Sequence, residues 1–82
     1  MGVTLVFLGR LADRAGADER LLELTGPCGW AGVLDQLEPD LAQTLADERV
    51  QLALNGELLA DKYALVARDG DELAFLPPVS GG

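Results

Sequence analysis

The sequence predicts an α+β domain in which a mixed sheet of about five strands carries helices packed on one face. Three observations predict it. Strand-type alternation opens and closes the chain, in VTLVFLGRL and DELAFL. Apolar residues at helical spacing fill the middle, in WAGVLDQL. Two turn dipeptides, Asn55-Gly56 and Asp69-Gly70, punctuate the last third. The 82 residues, 49% of them hydrophobic and 24% charged, have the make-up of a single globular domain.

The elements follow in order. Val3 to Leu11 is rich in β-branched and aromatic residues and is expected as the first strand. Arg20 to Thr25 returns as the second strand of a hairpin, with Asp13 to Glu19 as its polar loop around Gly16. GPCG, Gly26 to Gly29, then breaks the chain, and Trp30, Val33, Leu34 and Leu37 line one face of a helix. Pro39 closes that helix, because the residue before a proline is pushed out of the α region. Asp40 is expected to cap a second short helix with Leu41 and Leu45 inward. VQLALN alternates as a strand with Val50, Leu52 and Leu54 on one face, and Asn55-Gly56 turns it into a return strand over Glu57 to Leu59. After a looser stretch around Lys62 and Tyr63, Asp69-Gly70 leads into a last strand over Asp71 to Leu76.

The first and last strands are the most apolar, which places them side by side at the centre of the sheet. Hairpin, helices, hairpin and central last strand make a β-grasp arrangement, as in ubiquitin. The domain is expected to span residues 1–76, with a flexible tail over 77–82. Leu5 and Phe7 alternate with Val6 and Leu8, and Leu73 and Phe75 with Ala74 and Leu76, so both faces of the sheet are apolar near its middle. One face packs on the helices. The other must be covered by the chain's own loops or by a partner.

Charge and composition narrow the function. Six Lys+Arg against 14 Asp+Glu leave −8 at pH 7, so the domain repels phosphate backbones and anionic membranes and favours basic protein surfaces. One Cys forbids an intrachain disulfide, and the absence of His removes the common zinc spacings and every His-based triad. An enzyme acting alone is disfavoured. Val3 to Leu8 is too short for a membrane span or a signal segment, and Val6 stands where a myristoylation motif wants Ser or Thr, so a cytoplasmic location is expected. Cys28 precedes a helix but has no His or second Cys beside it, and is expected to be an inert loop thiol. Gly26, Gly29 and Gly32 match no phosphate-loop pattern. Asp69, Asp71 and Glu72 lack the calcium-loop spacing and are expected to form a solvated turn.

The ending PPVSGG, Pro77 to Gly82, carries the most pointed chemistry. Pro77 and Pro78 offer no N–H to a strand partner and turn the chain off the sheet. Val79, Ser80, Gly81 and Gly82 then reach at most about 13–14 Å when extended, which suits a narrow channel. Gly81 and Gly82 have no side chains, so the backbone can thread a tight slot and present the carboxylate of Gly82. An ionised carboxylate is unreactive at its carbonyl. ATP adenylation would activate it, and a thiol-derived sulfur could then displace AMP.

With these residues in view, DGDELAFLPPVSGG, Asp69 to Gly82, resembles the ending of the MoaD family of sulfur carriers, the small subunit of molybdopterin synthase. VTLVFLGRLADRAG and NGELL fall where that family has similar segments, so the resemblance covers nearly the whole chain. It implies a ubiquitin-like fold whose Gly82 is adenylated by an E1-like enzyme and converted to a thiocarboxylate. It implies sulfur delivery to cyclic pyranopterin monophosphate inside a MoaE-like large subunit, in a heterotetramer of two small and two large subunits. The sulfur would come from a cysteine desulfurase or a rhodanese, and ATP would be consumed without any permanently bound cofactor or metal. By position it makes Leu8, Leu58 and Leu76 the partner-binding surface, with Pro77, Pro78, Val79 and Ser80 leading into the channel. A related β-grasp carrier for tRNA thiolation, cysteine or thiamine is the nearest alternative. A ubiquitin-like modifier joined to target lysines through Gly82 is the alternative of a different class.

Overall fold

The structure is a computed structural model that describes residues 2–78 of the chain. Its elements are β1 (Gly2–Phe7), α1 (Arg10–Ala15), β2 (Glu19–Glu23), β3 (Cys28–Gly29), α2 (Trp30–Asp35), α3 (Pro39–Leu45), β4 (Gln51–Leu54), β5 (Glu57–Leu58), a 3₁₀ turn (Lys62–Ala64), β6 (Val66–Ala67) and β7 (Glu72–Leu76). Five strands form the main sheet in the order β2-β1-β7-β4-β5, and β3 and β6 form a two-stranded ribbon. β1 and β7 run parallel at the centre, while the other neighbours are antiparallel. This is the expected ubiquitin-like β-grasp sheet.

The central pair is held by its alternation. Val3, Leu5 and Phe7 on β1 and Leu73 and Phe75 on β7 are buried on the helix side. Register pairs Leu5 with Leu73 and Phe7 with Phe75, and the two phenyl rings stack at 5.6 Å with their planes 11° apart. Trp30 of α2 leans on Phe75 at 6.3 Å, and Val33, Leu37, Leu41 and Leu45 complete the core. The Asn55-Gly56 hairpin forms as expected, with φ of 51° and 88° that only a primed turn accepts. Its tip is tied to the start of β7: the Asn55 side chain donates to Asp71 at 3.0 Å and accepts from the Glu72 N–H at 2.9 Å.

Three expectations are corrected. The first strand does not run to Leu11: it stops at Phe7, Gly9 turns the chain, and Arg10–Ala15 is a helix with Leu11 buried beneath it. Gly9 at φ 55° opens α1 and Gly16 at φ 78° closes it in the left-handed conformation, so two glycines override the β propensity of the run. The loop expected over Asp13 to Glu19 shrinks accordingly. Pro39 begins α3 instead of standing outside it, because its missing N–H is one that the first helical turn never uses. Glu38 therefore occupies the N-cap, and Asp40 sits within the first turn without capping it. Finally, the stretch around Lys62 is ordered into the 3₁₀ turn, whose Asp61 side chain accepts from the Tyr63 N–H at 3.0 Å. No helix among the described residues is long and apolar enough to cross a membrane.

Candidate functional site

The site begins where β7 ends. Leu76 is the last strand residue and pairs with Gln51 of β4, and the Leu8 N–H donates to the Phe75 carbonyl at 3.1 Å, which carries the β1–β7 ladder one residue beyond β1. Pro77 and Pro78 follow, both half-buried. They cannot extend the ladder, so the chain leaves the sheet here as expected. Gly9 lies against this exit: a Cβ on it would stand 3.2 Å from Cγ of Pro77. Val79, Ser80, Gly81 and Gly82, the remainder of the expected channel segment and its carboxylate, lie outside the described residues.

The face opposite the helices is built by register. Ala53 pairs with both Leu58 and Ala74, and Ala74 pairs with Val6, so Leu58, Ala53, Ala74 and Val6 form one row across four strands. Leu76 and Leu8 continue that face by strand alternation toward the chain exit. Leu8 is 41% exposed and Leu58 59%, whereas Leu76 is half-buried. The structure thus brings the three predicted leucines to one apolar face beside Pro77. It also adds Leu21 of β2, 64% exposed and paired with Thr4 on the same face. Sequence reasoning missed Leu21, although the burial of its neighbour Leu22 gives the alternation away.

The charged groups nearby are structural. Asp69 accepts from the Gly2 N–H at 2.7 Å, and Asp71 accepts from Asn55 and from the Arg68 N–H, which holds its carboxyl below the usual range. Among the described residues no group of three or more Cys, Asp or Glu is placed to hold a metal ion. Cys28 is half-buried, with its thiol 3.6 Å from the Gly29 carbonyl. A Cβ on Gly32 would lie 2.6 Å from that sulfur, so this glycine makes room for the thiol against α2. The described residues thus form a platform: a central strand paired on both sides, an apolar outward face, and a chain that leaves the sheet at the end of that central strand.

Comparison with known proteins gives this platform a context. The profile of the ThiS family matches residues 5–82. The molybdopterin synthase sulfur carrier subunit of Chlamydomonas reinhardtii is 28% identical over 85 residues that span 100% of both chains. Among solved structures, the small archaeal modifier protein SAMP1 of Haloferax volcanii superposes with a TM-score of 0.79 at 28% identity over 100% of both chains. One chain of the complex of subunits 1 and 2 of the molybdopterin-converting factor of Helicobacter pylori shares the fold, with a TM-score of 0.61 at 24% identity and 100% of both chains covered.

Proposed function

This chain belongs to the ThiS family, a ubiquitin-like group of sulfur carriers, and we propose that it is the sulfur-carrying subunit of a molybdopterin synthase. The observation that carries the proposal is the end of the central strand, where the chain passes from Leu76 into Pro77 beside the exposed Leu8. A central strand anchored on both sides holds the start of the tail still, and the apolar face around it offers a partner something to grip. Resemblance to the Chlamydomonas subunit supports the choice of pathway.

In this reading an E1-like enzyme docks on the face of Leu8, Leu58 and Leu76 and receives the tail. A carboxylate oxygen of Gly82 attacks the α-phosphorus of ATP, which releases pyrophosphate and leaves an acyl-adenylate. The terminal sulfur of a persulfide on a cysteine desulfurase or a rhodanese then attacks the acyl carbon and displaces AMP. A thiol cleaves the S–S bond of the resulting acyl disulfide, which leaves Gly82 as a thiocarboxylate and joins the two thiol sulfurs as a disulfide. The same face docks next on a MoaE-like large subunit, two small subunits to two large. Val79, Ser80 and Gly81 thread its channel, and the sulfur passes to cyclic pyranopterin monophosphate. The carrier contributes no acid or base of its own, only position and a leaving sulfur.

A second reading, a modifier joined to amines through Gly82, is favoured by the likeness to SAMP1. Both readings use the same activated carboxyl. Intact-protein mass spectrometry after incubation with ATP, an activating enzyme and a sulfur donor separates them. One oxygen-to-sulfur exchange on the C-terminal peptide, lost when the large subunit and the pterin are added, supports the carrier. Absence of that species, with amide-linked adducts in its place, sinks it.

A further inference from the structure

We infer that this chain is a donor-only acyl carrier: its activated C-terminus can be handed to other molecules, but no side-chain amine of its own can receive one. The activation half rests on the function proposed above. The acceptor half rests on one residue.

Lys62 is the only lysine in the sequence; one lysine among six Lys+Arg leaves five arginines, whose guanidinium groups stay protonated and are not acyl acceptors. Lys62 is 7% exposed in the 3₁₀ turn after β5. Its Nζ donates to the carbonyl of Leu45 at 3.1 Å, of Asp47 at 2.5 Å and of Val50 at 2.8 Å. It also lies 5.2 Å from the centre of the Trp30 ring and 5.8 Å from that of Tyr63, within cation–π range.

The three carbonyls match the three N–H bonds of an ammonium, which has no lone pair. Amide formation would need the Nζ lone pair to attack the carbonyl carbon of the acyl-adenylate, making a C–N bond, expelling AMP and shedding a proton. A neutral amine has two N–H bonds, so removing the proton leaves one of the carbonyls without its donor. Swinging the side chain out to reach an acyl group leaves all three. Burial pushes the Lys62 amine down while Asp47 and Glu48 push it back up.

The consequence is directional. A carrier with surface lysines would lose activated copies to one another wherever adenylate accumulates. Here that side reaction has no side-chain amine to receive it, and if the chain is ever joined to a target no lysine of its own extends the adduct.

The test is acetylation of the native full chain with an N-hydroxysuccinimidyl ester, followed by peptide mass mapping. A groove of about 310 Å³ borders Lys62, so a small reagent is a more stringent probe than a polypeptide terminus. The α-amino group should be modified at least about tenfold faster than Lys62 in the native protein, and the two should converge in urea. Arg49→Lys, at a side chain 75% exposed, serves as the reactive control. Native acetylation of Lys62 at the rate of that control overturns the inference, as does an amide-linked dimer mapped to Lys62 after incubation with ATP and activating enzyme. Failure of the carrier reading shows separately, as no adenylate and no thiocarboxylate, and leaves the acetylation result standing.

Discussion

Pro77 is seated on Gly9. The glycine adopts φ 55° and ψ −131°, a backbone conformation that side chains disfavour, and the proline ring occupies the space where a Cβ would crowd it. The residue that ends β1's run is thereby coupled to the residue that follows β7. Pro77 and Pro78 both have fixed φ, which narrows the backbone freedom at this contact.

Gly9→Ala should therefore be destabilising by about 1–3 kcal/mol, from backbone strain together with the clash. Gly56→Ala is the comparison, since Gly56 has φ 88° but no atom within 4 Å of its missing Cβ. Its cost should be nearer about 1 kcal/mol, the strain alone. Urea denaturation in a double-mutant cycle with Pro77→Ala isolates the contact. If Gly9→Ala costs the same with and without the proline ring, the coupling contributes nothing.

Leu58→Arg tests the outward face. Leu58 is 59% exposed on the two-residue strand β5, so its replacement should change folding stability by no more than about 0.5 kcal/mol. Binding to a large subunit or an activating enzyme should weaken by about tenfold or more, because a charge then lands in the apolar contact. Leu73→Ala, fully buried on the other face of the sheet, should do the reverse and cost about 2–5 kcal/mol of stability. Unchanged affinity of Leu58→Arg, measured by calorimetry, would remove this face from the docking surface.

The contrast between those two leucines also shows what the sequence makes legible. Period-two alternation in two strongly apolar strands is enough to pair β1 with β7 and to predict two apolar faces, and Asn55-Gly56 is enough to place the hairpin. What it hides are features decided by distant chain. Gly9 becomes a helix start only when Leu8 is tied to Phe75 and Leu11 finds the core. The ribbon of β3 and β6 is two residues on each strand, too short to leave a pattern. Lys62 gives no local signal at all, since its three carbonyl partners come from the end of α3 and the loop to β4. The family resemblance supplied Leu8, Leu58 and Leu76, and register showed that they share a face.

Acid should loosen the loop between α3 and β4. Arg49 binds the Asp47 carboxylate through its side chain and its backbone N–H and holds it at about 2, against an ordinary 3.8. Glu38 beside Arg20 and Asp71 beside Asn55 are lowered in the same sense. A carboxylate whose folded pKa is depressed contributes stability above its unfolded value and loses it as pH falls through the folded one. For Asp47 that window runs from 3.8 down to about 2. Carbon-detected NMR should find its midpoint near the lower end, and Arg49→Gln should return it toward the upper. A wild-type midpoint already at the ordinary value would show that the pair is open in solution.

Lys62→Met should be among the more damaging single substitutions in the chain. Methionine can fill much of the volume of the lysine stem, but it has no N–H, so the carbonyls of Leu45, Asp47 and Val50 lose their shared donor at once. The Asp47 carbonyl keeps the Val50 N–H at 3.0 Å, so the loss falls on the carbonyls of Leu45 and Val50. A buried polar group left without a partner costs about 1–3 kcal/mol, and these two are close enough together that their costs will not simply add. A total loss of at least about 2 kcal/mol is expected, visible as a lower urea midpoint at an unchanged slope. Glu57→Gln, on exposed β5, should by contrast stay near wild type. The effect should also be local before it is global: amide exchange should speed up first from Asp47 to Val50, where the carbonyls lose their anchor, while the β1–β7 pair stays protected. A Lys62→Met protein as stable as wild type would mean that water satisfies those carbonyls, and that the ammonium holds nothing together.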